Sequence, residues 1–119
     1  SKNMILGPNG ENIYPEEIES VFNEQEFVSD SLVMHVKGKL VALIHLNFET
    51  IEEKFQHLLA TAQDKQKDLQ HKADELLDEI RTKVNEQLNK NSRIQKTFLQ
   101  KDPFEKTPTQ KIKRYRYKE

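Results

Sequence analysis

Two apolar runs, residues 32–36 and 40–48, stand on either side of Lys37-Gly38-Lys39, and this arrangement constrains the fold more than any other feature of the chain. β-Branched and apolar residues flanking a glycine turn predict a β-hairpin. The longest apolar stretch, 40–46, is far too short to cross a bilayer. The hairpin must therefore be covered by other parts of the same chain.

Helical periodicity supplies that cover. Pro15 suits the first position of a helix, Glu16 and Glu17 complement the positive end of its dipole, and Ile18, Val21 and Phe22 recur at helical spacing. A helix over 15–24 follows. A longer amphipathic pattern spans 51–88, carried by Ile51, Phe55, Leu58 and Leu59 and then by Leu69, Ala73, Leu76, Ile80, Val84 and Leu88, with a polar interruption at 63–68. It reads either as one long helix with a solvated middle or as two helices, the second packing on the sheet. Residues 94–99 read as a final strand, and 101–110, with Pro103 and Pro108, as an irregular loop. Near the start, Gly7-Pro8-Asn9-Gly10 lies between short extended segments, which predicts strand, tight turn and strand.

Composition narrows the function. A chain of 119 residues, 34% hydrophobic and 33% charged, forms one domain with a modest core and has little room for a complete multi-substrate active site. It opens without a methionine and reads as an excised piece of a larger protein. Without cysteine there is neither a disulfide framework nor a thiolate metal site, and a cytoplasmic setting is the default expectation. The histidines, His35, His45, His57 and His71, show no metal-ligand spacing, so no metal site is expected. Phosphate-loop and nucleophile-elbow motifs are lacking too. The formal net charge of −1 conceals an asymmetry: acids such as Glu11, Glu16, Glu17 and Glu19 crowd the start, whereas Lys106, Lys111, Lys113, Arg114, Arg116 and Lys118 crowd the end. A basic tail attracts anions, whether nucleic acid, a membrane surface or a phosphorylated small molecule.

Two motifs choose among these. The stretch from Lys2 through Gly7-Pro8-Asn9-Gly10 to Glu11-Asn12-Ile13-Tyr14-Pro15-Glu16-Glu17-Ile18-Glu19 resembles the hinge and loop motif of adenylate-forming enzymes. At the other end, Thr107-Pro108-Thr109-Gln110-Lys111-Ile112-Lys113-Arg114 is similar to the closing motif of that family, in which a lysine follows a flexible loop. Many members carry glycine where this chain has Gln110. The form of the first motif is most similar to long-chain fatty acyl-CoA synthetases.

The resemblance implies an α+β C-terminal lid domain over 1–119, with a three-stranded antiparallel sheet flanked by helices and a short N-terminal β-hairpin. Its partner would be an N-terminal AMP-binding domain of the same enzyme. The full enzyme would use ATP with Mg, a fatty acid and CoA, and the lid would rotate between the adenylating and thioester-forming half-reactions. No ligand is expected on the fragment alone. Lys111 would be the catalytic cation that offsets charge developing as a carboxylate attacks the α-phosphate. Lys2 would be the hinge, and Gly10 and Glu11 would lie at the tunnel for the pantetheine arm of CoA. Glu17 and Glu19, two apart on a helix, point to different sides and are expected to cap and solvate it. The tail from Thr107 onward is expected to be mobile rather than packed on the domain's own core, and peripheral membrane association of the parent stays open.

Two rival readings come from other classes. Lys111–Lys118 interleaves cations with Tyr115 and Tyr117, as a nucleic-acid-binding module would. The acidic first half and near-neutral total argue against it, and no nucleic-acid partner is expected. A coiled-coil interaction protein built on 51–88 is opposed by the apolar hairpin.

Overall fold

A computed structural model describes residues 3–61 and 63–117 of the chain. Lys2, the expected hinge, lies outside the described residues.

The sheet forms where the apolar runs predict it. β3 (Val28–Val36) and β4 (Lys39–Leu46) pair antiparallel, and Val36 faces Lys39 across a two-residue turn. Lys37 and Gly38 both adopt positive φ, 51° and 78°, which matches the twist of the strands they join. β5 (Lys96–Leu99) completes the sheet in the order β3-β4-β5. It runs parallel to β4, with Val41 opposite Lys96 and Ile44 opposite Leu99. The sheet is therefore mixed, which corrects the expected all-antiparallel arrangement. The reason is the crossover: between β4 and β5 the chain passes through a long helix, which carries it back to the end of the sheet where β4 began.

That helix, α4 (Lys65–Gln87), is capped by Asp64, whose side chain accepts from the Lys67 amide at 3.1 Å. The amphipathic region ahead of it breaks into α2 (Phe48–Lys54) and α3 (Gln56–Ala60), so 48–87 holds three helices rather than one or two. α1 (Pro15–Asn23) has its proline in the first turn, as the sequence predicts. The N-terminal hairpin pairs β1 (Ile5–Leu6) with β2 (Asn12–Ile13).

α1 and α4 cover one face of the sheet. Ile18 and Phe22 of α1, and Ala73, Leu76, Ile80 and Val84 of α4, share a core with Val33, Ala42, Ile44 and Leu46. Phe22, Ile44 and Val84 are fully buried, and each such side chain contributes roughly 1.5–3 kcal/mol by leaving water. Truncating Phe22 to Ala would cost about 3–5 kcal/mol and strip α1 of its anchor. No helix of the described residues is long and apolar enough to cross a membrane.

Candidate functional site

The segment that carries Lys111 is a tight turn with a braced backbone. The Gln110 amide donates to the Thr107 carbonyl at 2.9 Å and the Thr107 amide donates to the Lys111 carbonyl at 2.8 Å. Pro108 presets the backbone at the turn's second position. Gln110 takes the left-handed region at φ 68°, as the fourth residue of such a loop must. The Thr107 hydroxyl accepts from the Lys111 amide at 3.1 Å, and Lys106 bridges to Ile112 behind the turn. Lys111 is exposed at the end of the turn, and no carboxylate among the described residues is ion-paired with it.

The tail around this turn is seated on the domain, which corrects the expectation of an unattached tail. Phe104 is buried and meets Tyr117 edge-on at 5.1 Å, while the Tyr117 hydroxyl accepts from the Glu105 amide at 2.8 Å. Lys106 pairs with Asp30 at 2.7 Å. Arg114 inserts its guanidinium beside α1, donating to Glu19 Oε2 at 2.8 Å and to Oε1 at 2.7 Å. The residues are 95 positions apart in sequence.

Glu19 is the second correction. It is 7% exposed, not a solvated helix residue. Its Oε2 also accepts from the Val33 amide at 2.8 Å, on the edge strand β3, so one carboxylate joins helix, sheet and tail. Burial pushes this carboxyl above the usual carboxylate range, against the downward pull of the Arg114 and Val33 hydrogen bonds. For Arg114 burial acts downward, and the hydrogen bond and charge of Glu19 outweigh it and raise the guanidinium. Glu17, by contrast, is exposed in the first turn of α1, as expected.

Between α1 and the tail lies an open groove of about 1110 Å³, lined by Tyr14, Glu16 and Glu19 on one side and by Lys111, Lys113 and Arg114 on the other. The two motifs read from opposite ends of the sequence thus share one groove. Gly10 and Glu11 do not line it. They belong to the N-terminal turn, where Gly10 adopts φ 84° and a side chain at that position would meet open space. The Glu11 carboxylate folds under its own turn against Gly7, with Oε1 buried and without a hydrogen-bond partner among the described residues.

Beside that turn is a smaller groove of about 170 Å³. Gly7 and Pro8 line it together with His35, Lys39, Lys90 and Arg93, and no acidic residue does. None of Lys39, Lys90 and Arg93 is ion-paired among the described residues, whereas Lys54, Lys65, Lys106 and Arg114 each face a carboxylate. The histidines gather no metal site: His45 Nδ1 sits 3.0 Å from the Gln100 carbonyl, and no group of three His, Asp or Glu side chains among the described residues could hold a metal ion.

Sequence reasoning missed the Glu19–Arg114 pair and the cationic groove. Both depend on contacts between distant segments, and neither leaves a local periodic signal.

No family model matches the sequence, and no curated protein sequence matches it. Solved structures do. ATP-bound MatB from Rhodopseudomonas palustris is 18% identical, with 96% of this chain and 19% of that chain covered at a TM-score of 0.62. For o-succinylbenzoate CoA synthetase (MenE) from Bacillus subtilis, bound to a product analogue, the values are 23%, 99%, 20% and 0.60. A fatty acyl CoA synthetase from Mycobacterium tuberculosis gives 21%, 94%, 18% and 0.58. The chain shares the fold of a part of these synthetases. It spans about a fifth of their length.

Proposed function

We propose that the chain is the C-terminal lid of a cytoplasmic, ATP-dependent acyl-CoA synthetase of the adenylate-forming family, acting on a long-chain fatty acid. The observation that supports this reading is the placement of Lys111, with no ion-pair partner among the described residues, at the end of a braced turn on the groove that Glu16, Glu17 and Glu19 of the Pro-Glu-Glu-Ile-Glu motif also line. An ammonium held by its backbone acts as a point charge that offsets the negative charge developing at the α-phosphate while pyrophosphate leaves.

CoA brings phosphates of its own. The groove of His35, Lys39, Lys90 and Arg93 lies against the Gly7-Pro8 turn, next to the proposed pantetheine passage at Gly10, and its uncompensated positive charge suits them. The chain alone holds neither a phosphate loop nor an acyl tunnel, so it should catalyse no ATP–pyrophosphate exchange by itself.

The test is made in the longer enzyme, with the half-reactions measured separately. Lys111→Ala should slow acyl-adenylate formation by roughly 10² to 10³, or about 3–4 kcal/mol, and leave thioester formation from supplied acyl-adenylate nearly unchanged. Equal slowing of both halves would make Lys111 a general binding or structural residue. Activation of o-succinylbenzoate or another carboxylate in place of a fatty acid would keep the lid and change the substrate.

A further inference from the structure

On the synthetase reading Lys111 must sit in a defined place, yet the turn that carries it follows an irregular segment, held on that side by buried Phe104 and the Lys106–Asp30 pair. Beyond Lys111, Ile112 and Lys113 pair only with Lys106 and Glu105 of the same segment, and the first hydrogen bonds to the body of the domain are those of Arg114, three residues on, which restricts the lysine backbone to within about 10 Å of the arginine Cα. Glu19 offers both oxygens in a fork-to-fork pair at 2.7 and 2.8 Å and uses one of them again on the Val33 amide. The turn of α1 that bears it is fixed a second time, since the Glu19 carbonyl accepts from the Ser31 hydroxyl at 3.3 Å, and Ser31 also donates to Asn23 at 2.8 Å.

A buried pair of this kind contributes little net stability, because removing two charges from water offsets most of their attraction. It does fix geometry, since two parallel hydrogen bonds set both the distance and the angle of the guanidinium plane. Resting on the synthetase reading above, we infer that Glu19 is a positioning residue for Lys111: through Arg114 it locks the lysine turn to α1 and β3, so that Lys111 travels as one body with the lid. This joins the two motifs physically, with the last glutamate of the first holding the arginine that ends the second.

The decisive comparison is a double-mutant cycle in the longer enzyme. Glu19→Gln should slow acyl-adenylate formation by about tenfold or more and leave thioester formation within about twofold. Glu19→Gln added to Lys111→Ala should slow adenylation no further than Lys111→Ala alone, because a residue acting only through the lysine has nothing left to position. A merely structural role would add to the loss, or slow both halves equally, and either result overturns the proposal. If Glu19→Gln fails to fold, Arg114→Lys replaces it, keeping the charge and losing the fork. Amide exchange on this chain gives an answer that does not depend on the activity. The Thr107, Gln110 and Lys113 amides should exchange about tenfold faster in Glu19→Gln while those of β4 stay protected. Unchanged exchange at these amides overturns the clasp even if the enzyme is an adenylating one. Fast exchange combined with a fully active Lys111→Ala shows that the clasp exists and the synthetase reading is wrong.

Discussion

The turns at Gly7–Glu11 and Thr107–Lys111 have the same backbone and opposite contents. In each, the first amide donates to the fifth carbonyl at 2.8 Å, and the fourth amide donates to the first carbonyl at 3.0 Å in one and 2.9 Å in the other. In each, proline stands second and the fourth residue is left-handed, Gly10 at φ 84° and Gln110 at φ 68°. The first ends in Glu11, which folds inward beneath Gly7; the second ends in Lys111, which points away into the groove. One turn therefore presents a bare backbone at Gly10 and hides its charge. The other hides its backbone and presents a charge. A single loop geometry can thus present either a bare backbone or an outward-reaching cation, depending on the residues at and after the left-handed position.

The turns also differ in what holds them. The N-terminal one is closed by the β1–β2 pair, whereas the C-terminal one has a single bridge and relies on Arg114. The largest expected effect follows from this difference. Arg114→Met leaves the Glu19 carboxylate buried without its partner, and should destabilise the chain by about 3 kcal/mol in urea unfolding near neutral pH, toward the low end of the range because Arg114 is 24% exposed. The sign of the pH dependence is fixed by the raised carboxyl. With Arg114 gone its folded pKa rises further above the unfolded 4.5, so the unfolded state loses its proton first and stability falls as pH increases through the folded value. Unfolding curves at pH 5 and pH 7.5 that show no greater pH sensitivity in the variant than in the parent chain would refute this account of the pair.

Gly10→Leu comes next and probes the other turn. No atom lies within 4 Å of the position a Cβ would take, so the cost is backbone strain at φ 84°, about 1–2 kcal/mol. If the synthetase reading proposed above holds, the same change in the longer enzyme should slow thioester formation and spare adenylation, the reverse of Lys111→Ala. Slowing of adenylation alone would remove Gly10 from the pantetheine passage. The cationic groove beside this turn should respond differently again. Lys90→Glu with Arg93→Glu should raise the KM for CoA by about tenfold with adenylation unaltered, and an unchanged KM would mean that CoA does not use these cations.

How much of this was legible beforehand varies by element and for physical reasons. α1 and the β3–β4 hairpin were readable because their periodicity and turn residues are local, Pro15 and Gly38 above all. The parallel direction of β5 was not, because strand composition carries no sign; only the intervening α4 decides it. The division of 48–64 into α2, α3 and a capped start at Asp64 is visible in hindsight in the polar interruption, but the caps act over three residues and blur in a search for longer periods. Lys111 was named through resemblance to a family. Glu19 was misread as solvated because its partner is 95 positions away and an acid two residues from another acid on a short helix has the look of a surface.

Gly7→Ala is a smaller perturbation with a visible readout. A Cβ there would collide with the Glu11 carboxylate, but its buried Oε1 has no hydrogen-bond partner among the described residues to lose, so the carboxylate should swing into solvent at a net cost of under about 1 kcal/mol. Side-chain chemical shifts of Glu11 that are identical in the two proteins would show that the carboxylate does not rest under the turn.

The smallest expected effect makes the two turns alike. Gln110→Gly puts at the lysine turn the residue that the other turn already has. It removes left-handed strain of about 1 kcal/mol at φ 68°. It also frees the unfolded chain by roughly 0.4–1 kcal/mol, and the two effects oppose each other. Unfolding free energy should therefore change by less than about 0.5 kcal/mol, with the Thr107–Lys111 bonds intact. A loss well beyond that would mean that the Gln110 side chain, which lines the groove beside Lys111, makes a contact that the turn needs. The likeness between the turns would then stop at the backbone trace, and the glycine in one and glutamine in the other would be fixed by different requirements.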